Sequence, residues 1–150
     1  MDKNQDFYNS LAIPITHILN NIYIGNLLGG IDKDEQDLFS IDGFVRVIEG
    51  DYFPTEKPTL QIPIDDNEEV DILKYVDSFL NFIKQNSDKN ILIHCQHGSS
   101  RSGTFVLLYL MEFHNMSFEE ALEFARTKRL GINPNKGFCT QLKSISNNQV

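Results

Sequence analysis

Residues 94–103, with the sequence His-Cys-Gln-His-Gly-Ser-Ser-Arg-Ser-Gly, carry the side chains that could do chemistry in this chain. Cys95 offers a thiol, which becomes a strong nucleophile when it ionises and can then attack phosphorus. Arg101, six positions later, offers a planar guanidinium that can bind two oxygens of one phosphate group. This spacing predicts that one short loop carries both a nucleophile and a phosphate-binding cation.

Two apolar segments flank this loop and must position it. Residues 90–94 form a short apolar run typical of a strand buried on both faces, and residues 101–114 contain an apolar stretch typical of a core helix. A loop between them points backbone N–H groups at one anion, and the helix dipole adds positive potential. That potential favours the thiolate of Cys95, to which the Ser102 hydroxyl could donate. Gly98 can adopt a positive φ and keep the loop compact.

The other segments alternate between strand and helix patterns. Strands are predicted at 44–48, at 59–64 and at 18–24, the last as one strand or a short pair. A turn is predicted at Gly29-Gly30, and helices are predicted at 33–40, 68–86, 118–129 and 136–145. Ser117 and Glu120 form a capping box for the helix at 118–129, and Gly131 is its expected C-cap. The alternation predicts one α/β domain, with a central, mostly parallel sheet flanked by helices.

Length and composition fit a single globular domain, since the chain has 150 residues, 41% hydrophobic and 23% charged. The formal net charge of −8 argues against nucleic-acid binding. The charge is uneven, because residues 1–90 hold 7 basic and 17 acidic side chains whereas residues 91–150 hold 6 and 4. The half that contains the Cys95 loop is therefore weakly basic, which fits an anionic ligand.

Three classes of feature are not expected from this sequence. No apolar run approaches the roughly 20 residues that a membrane-spanning helix needs. The first ten residues are polar and acidic, unlike a secretory signal, so the expected location is the cytoplasm or, alternatively, the nucleus. His94 and His97 flank Cys95, but no second cluster completes a tetrahedral metal site. We therefore expect neither a metal nor an organic cofactor.

The pattern His-Cys-x-x-Gly-x-x-Arg-Ser at 94–102 resembles the signature of the cysteine-based protein tyrosine phosphatase superfamily. Further segments resemble its dual-specificity phosphatase family: 22–25, 62–66, 109–111, 133–135, 137–138 and 141–142. The resemblance covers about residues 16–145, which we interpret as the catalytic domain, with an N-terminal extension at 1–15 and a tail at 146–150. It implies the protein tyrosine phosphatase fold and a small, catalytic-domain-only protein, expected to be a monomer.

The same resemblance implies hydrolysis of phosphotyrosine, phosphoserine and phosphothreonine on protein substrates, through a phosphocysteine formed on Cys95. A carboxylic acid would protonate the leaving oxygen and then act as base for the hydrolytic water. Asp65 and Asp66 both stand where the family carries this acid, and alignment on residues 62–64 favours Asp66. Ser102 resembles the hydroxyl that aids breakdown of the phosphocysteine.

The resemblance also assigns a phosphate-binding loop and its supports. The loop residues are Gln96, His97, Gly98, Ser99, Ser100 and Arg101. His97 is a departure, because family members often carry Ala there, and it either adds a pH-dependent positive charge at the rim or faces solvent. His94 would lie beneath the loop and orient Cys95, or be merely packed, and Asn135 would tie loops together beside the site. Cys139 is expected to be inert, with a resolving cysteine as the alternative.

Several other functions share parts of this pattern. A phosphoprotein-binding module without catalysis would keep the fold, but the presence of Cys95 and Arg101 argues against it. Phosphoinositide phosphatases tend to carry basic residues inside a loop that has no lysine here, and the acidic net charge disfavours an RNA 5′-triphosphatase. A rhodanese-like sulfurtransferase would not need Asp65 and Asp66, and an arsenate reductase of the low-molecular-weight kind would carry its motif near the N-terminus.

Overall fold

A five-stranded sheet forms the centre of the protein in a computed structural model that describes residues 3–50 and 54–148. The strands are β1 (Ile15–Leu19), β2 (Ile22–Gly25), β3 (Ile41–Arg46), β4 (Thr59–Gln61) and β5 (Asn90–His94). Their order across the sheet is β1-β2-β5-β3-β4. Only the β1–β2 pair is antiparallel in this sheet, and the other three neighbouring pairs are parallel. The predicted α/β class with a mostly parallel sheet is confirmed.

The central strand β5 sets the position of the predicted loop. Its residues Ile91, Leu92 and Ile93 are fully buried, as their continuous apolar run predicts. His94, the last residue of β5, pairs with Gly25 of β2 on one side and with Arg46 of β3 on the other. The carboxyl ends of three parallel strands therefore meet where the loop begins, which is where open α/β sheets bind ligands.

Seven helices accompany the sheet in the described ranges: α1 (Lys3–Leu11), α2 (Leu27–Ile31), α3 (Lys33–Leu38), α4 (Val76–Gln85), α5 (Arg101–Phe113), α6 (Phe118–Lys128) and α7 (Lys136–Asn148). Helix α5 is the core helix, because its residues from Ser102 to Met111 are all buried. It contacts strands β2 and β5 on the sheet and helices α6 and α7 beyond it. The apolar stretch after the loop is thus surrounded on all sides, as its composition predicts. No helix within the described residues combines the length and apolar character that crossing a membrane requires.

Two of the local predictions are wrong because side-chain contacts outweigh the local pattern. The predicted turn at Gly29-Gly30 lies inside α2, where a Cβ on Gly30 would collide with the imidazole of His94. These glycines allow close packing rather than a turn. The predicted C-cap at Gly131 is also wrong, since α6 ends at Arg129 in an extended conformation. Gly131 instead packs against α1, where its N–H donates to the Ser10 hydroxyl at 2.7 Å.

The amphipathic helix predicted at 68–86 begins later than its periodicity suggests. A short 3-10 turn at Leu73–Tyr75 leads into α4, which starts at Val76. Before it, the side chains of Asn67 and Asp71 accept hydrogen bonds from backbone N–H groups two residues ahead. Such local side-chain turns compete with helix formation, so the apolar spacing alone overestimates the length of the helix. The strand pair at 18–24 and the helix ends near 101 and 118 are confirmed within a few residues.

We expect Ser117→Ala to lower the free energy of unfolding by about 1 kcal/mol, because it removes the N-cap of α6. The Ser117 hydroxyl accepts from the N–H of Glu120 at 3.1 Å, and the Glu120 carboxylate accepts from the N–H of Ser117 at 2.9 Å. Urea denaturation measures the change. Ser117→Asn, which keeps a capping acceptor, is the matched control and should stay within a few tenths of the wild type. Equal stability of the Ala variant and the wild type would contradict this assignment.

Candidate active site

Cys95 lies at the start of the loop that joins β5 to α5, and only 2% of the residue is exposed. Its Sγ lies 3.1 Å from the hydroxyl oxygen of Ser102, the second residue of α5. The sulfur therefore sits at the N-terminus of a 13-residue helix with a hydroxyl beside it. This is the arrangement predicted for these two residues, and it provides positive potential for a sulfur anion.

The loop backbone is held with its carbonyl groups turned outward. The carbonyls of residues 96 to 100 all accept hydrogen bonds from groups outside the loop: the N–H of Leu27, the guanidinium of Arg129 (twice), the N–H of Asn133 and the N–H of Thr104. In the parts of the chain that the structure describes, no acceptor is bound to the N–H groups of residues 97–100, which follow the carbonyls of residues 96–99. Because C=O and N–H point in opposite directions in a trans peptide, these N–H groups form a cradle suited to an anion.

A cavity of about 460 Å³ opens above this loop and brings the key side chains together. Cys95 and Arg101 both line it, as do the loop residues His97, Ser99 and Ser100. Arg101 is half-buried, and its Nη1 donates to the carbonyl of Ile64 at 3.2 Å. The spacing of six residues thus places the nucleophile and the cation in one cavity. Of the other predicted loop residues, Gly98 is buried with φ +67° and Gln96 is exposed, and neither lines the cavity.

The two candidate acids occupy different positions. Asp66 lines the cavity, and its Oδ1 accepts hydrogen bonds from the hydroxyl of Ser100 at 2.6 Å and from the amide of Asn135 at 2.9 Å. Asn135 also donates from its backbone to the Ser100 hydroxyl at 2.8 Å, which closes the network. The carboxylate of Asp65 instead accepts from the backbone N–H of Asp66 and lies outside the cavity. The structure therefore places Asp66, and not Asp65, in the cavity that Cys95 also lines.

His94 is fully buried beneath the loop, where Arg46 faces it. Burial is the main cause that lowers the pKa of His94, to about 3, with the charge of Arg46 adding to it and a hydrogen bond to the Cys95 backbone opposing it. The imidazole is therefore neutral at physiological pH, and its Nε2 accepts from Arg46 Nη1 at 2.7 Å. Because Nε2 accepts this hydrogen bond, the proton of the neutral ring is assigned to Nδ1. His94 supports the backbone at Cys95 without adding charge.

Residues that the sequence did not single out also belong to the site. Phe7, Tyr8 and Leu11 of α1 line the cavity, although they lie more than 80 positions before Cys95. Arg129 lies behind the loop, with 1% of the residue exposed. Nothing in the sequence distinguishes Arg129 from the exposed Lys128 beside it, because both end a helix. Only the packing of distant segments reveals these roles.

Neither a metal site nor a reactive second thiol emerges from the described residues. No group of three or more His, Cys, Asp or Glu side chains within them is arranged to hold a metal ion. Cys139 is half-buried, and its Sγ lies 3.4 Å from the carbonyl of Pro134. Burial raises the pKa of the Cys139 thiol, against the opposing charges of Lys143 and Arg126. A raised pKa disfavours the reactive thiolate.

Comparisons with known proteins agree with this geometry. A protein of Invertebrate iridescent virus 6 named as a tyrosine phosphatase, 123R, is 36% identical over 132 residues, which cover 85% of this chain and 88% of that protein. The human dual specificity protein phosphatase 1 is 33% identical over 83% of this chain, but the match spans only 35% of its length. The crystal structure of DUSP15 superposes with a TM-score of 0.84 at 29% identity, covering 89% of this chain and 87% of that one. A family model described as "Dual specificity phosphatase, catalytic domain" matches residues 22–148. The chain belongs to the dual specificity phosphatase family.

Proposed function

We propose that this protein hydrolyses phosphotyrosine, phosphoserine and phosphothreonine on protein substrates through a phosphocysteine on Cys95. The observation that carries the proposal is the shared cavity of Cys95 and Arg101 above a cradle of loop N–H groups. A nucleophile, a bidentate cation and an N–H cradle around one point are what phosphoryl transfer requires, because its transition state spreads negative charge over three equatorial oxygens.

In the first step the Cys95 thiolate attacks phosphorus, an S–P bond forms and the ester P–O bond breaks. The loop N–H groups and the Arg101 guanidinium hold the three equatorial oxygens. Asp66 in its protonated form gives its proton to the leaving oxygen of the substrate side chain. Its position in the cavity, fixed by Ser100 and Asn135, supports this role. The dephosphorylated protein then leaves, and the phosphoryl group stays on the sulfur.

In the second step water attacks the phosphocysteine. Asp66, now a carboxylate, takes a proton from that water as the new P–O bond forms and the S–P bond breaks. The departing sulfur carries negative charge, and the Ser102 hydroxyl at 3.1 Å donates to it. Inorganic phosphate and the Cys95 thiolate are the products. The neutral His94 beneath the loop fixes the Cys95 backbone throughout the cycle.

The residues that line the cavity favour a protein substrate, and they favour phosphotyrosine as one of the accepted phosphoesters. Phe7, Tyr8 and Leu11 contribute aromatic and apolar surface to the lining of the cavity. Helix α1 is held there by Ser10, whose hydroxyl accepts from Gly131, and by the carbonyl of Leu11, which accepts from Asn26. The loop itself offers no lysine to the additional phosphates of an inositol headgroup. We therefore favour phosphoprotein over phosphoinositide.

Cys95→Ser should abolish hydrolysis of a small aryl phosphate while phosphate binding persists, because a hydroxyl at neutral pH is a far weaker nucleophile than a thiolate. The hydrolysis rate is measured in a stopped assay, and binding of inorganic phosphate is measured by calorimetry. Cys139→Ser, which changes the other thiol, is the matched control and should keep the wild-type rate. Comparable turnover in the Cys95 variant would exclude the covalent route.

Asp66→Asn should lower kcat by about 100-fold or more on a phosphotyrosine peptide, since an amide can neither give nor take the transferred proton. The loss should shrink for an aryl phosphate with a good leaving group, which needs little protonation. Asp65→Asn provides the control, with kcat close to wild type on both substrates. A larger effect at Asp65 than at Asp66 would show that the acid is assigned to the wrong residue.

Tyr8→Ala should lower kcat/KM for a phosphotyrosine peptide about 2- to 13-fold, because an aromatic contact contributes roughly 0.5–1.5 kcal/mol. The same variant should change kcat/KM for the matching phosphothreonine peptide less, since that side chain has no ring. Tyr8 is 64% exposed, so its removal should leave the fold intact. Asn9→Ala on the same helix, outside the cavity, is the control. Equal losses on the two peptides would argue against an aromatic contact.

A further inference from the structure

Arg129 is a buried arginine whose hydrogen-bonding capacity is fully used. It follows α6 directly and lies behind the phosphate-binding loop, with 1% of the residue exposed. A guanidinium has five N–H groups, and all five donate here. The acceptors are the carbonyls of Gly98 (3.0 Å), His97 (3.2 Å), Ile13 (2.8 Å) and Leu11 (3.3 Å) and the hydroxyl of Thr16 (2.8 Å). One side chain therefore joins the loop to the end of α1, the start of β1 and the segment between them.

The charge of Arg129 is not balanced by a carboxylate within the described residues, since its acceptors are carbonyl groups and a hydroxyl. A buried charge without a counterion is costly. Burial lowers the pKa of Arg129 to about 10, and the charge of the Cys95 sulfur opposes that lowering. Arg129 thus stays protonated at neutral pH, and the anion that acts on it is the nucleophile.

Arg129 also determines which way the loop backbone faces. It binds two of the five outward carbonyls, those of His97 and Gly98. The N–H groups that follow these carbonyls belong to Gly98 and Ser99 and point to the opposite side, because the peptide unit is planar and trans. A Cβ on Gly98 would lie 2.7 Å from Arg129 Nη2, and φ is +67° there, so glycine is required for this contact.

We propose that Arg129 is a positioning residue of the reaction, which holds the carbonyls of residues 97 and 98 away from the phosphate and supplies positive charge behind the Cys95 thiolate. The activity part of this inference rests on the proposed function, whereas the thiolate part concerns Cys95 alone. Arg129 touches neither substrate nor sulfur directly. It acts on them through two loop carbonyls and through its electric field, which is strong because the surroundings are buried.

Other charged or titratable groups also surround Cys95, and a substitution at position 129 leaves each of them in place. They are Arg101 and Asp66 in the cavity, His97 at the exposed rim, the neutral His94 beneath the loop and Arg46 behind it. Any change in the ionisation of Cys95 that follows a substitution of Arg129 can therefore be assigned to that residue, provided that the fold is intact.

The test compares wild type with Arg129→Met and Arg129→Lys. Iodoacetamide alkylation of Cys95 is followed across pH by mass spectrometry of the peptide that carries it, which separates it from Cys139. We expect the midpoint of alkylation in the Met variant to move to higher pH by about one unit or more. Lys128→Met is the control, since it removes an exposed charge at the neighbouring position and should leave the midpoint unchanged.

The Lys variant separates charge from geometry. Its ammonium has three N–H groups instead of a planar fork, so it cannot reproduce the five hydrogen bonds. We expect a midpoint close to wild type but kcat for an aryl phosphate reduced about 10-fold or more, because a small misplacement of the groups around the reacting atoms slows the reaction. Melting temperatures show whether each variant is folded, and a merely structural role would change them without moving the alkylation midpoint.

Two outcomes would overturn the proposal. One is a folded Met variant with the wild-type alkylation midpoint, which would show that Arg129 has no electrostatic effect on Cys95. The other is a Lys variant with wild-type kcat and KM, which would remove the positioning role, and this result is accessible even if the Met variant does not fold. If wild type itself hydrolyses no phosphate ester, the proposed function fails, but the alkylation curves still test the link between Arg129 and Cys95.

Discussion

The structure depends on one constraint, which is that a negative charge must be stabilised in a buried place. In the proposed reaction the charge stands first on the sulfur of Cys95, of which 2% is exposed, and then on a phosphoryl group above it. The buried sulfur has little contact with water, so the protein must stabilise its charge. The stabilising groups come from several directions: the N-terminus of α5, Arg101 from the cavity and Arg129 from behind the loop. Arg129 is fully buried, so its charge acts strongly on the sulfur.

The fold supplies this environment by placing a tight loop at the end of its most buried strand. Strand β5 lies between two parallel partners, and the fully buried α5 follows at once. The neutral His94 and the glycine at position 30 let α2 pack directly under the loop. All loop carbonyls from 96 to 100 are bound outside the cavity, which leaves the N–H groups to face an anion. The rigidity of the cradle thus comes from its surroundings as much as from its own residues.

Local sequence predicted the elements well where the chain's own periodicity or capping governs them. The burial of β5 and α5 and the capping box of α6 are examples, since their signals lie within a few neighbouring residues. The predictions at Gly29-Gly30, Gly131 and residues 68–75 were wrong for two different reasons. Each glycine is explained by a contact with a distant segment, and the start of α4 is delayed by polar side chains that bind the backbone.

The sequence by itself determined the chemistry of the loop, because Cys95, Arg101 and Ser102 lie within eight positions of one another on a strand–loop–helix unit whose geometry is local. Only the tertiary structure decided which of the two neighbouring aspartates lines the cavity with Cys95, which aromatic side chains line it and which arginine stands behind the loop. Those residues lie between 29 and 88 positions from Cys95 in the sequence. Their placement depends on how helices and strands pack, and a pattern within one segment carries no information about the segment that it will meet.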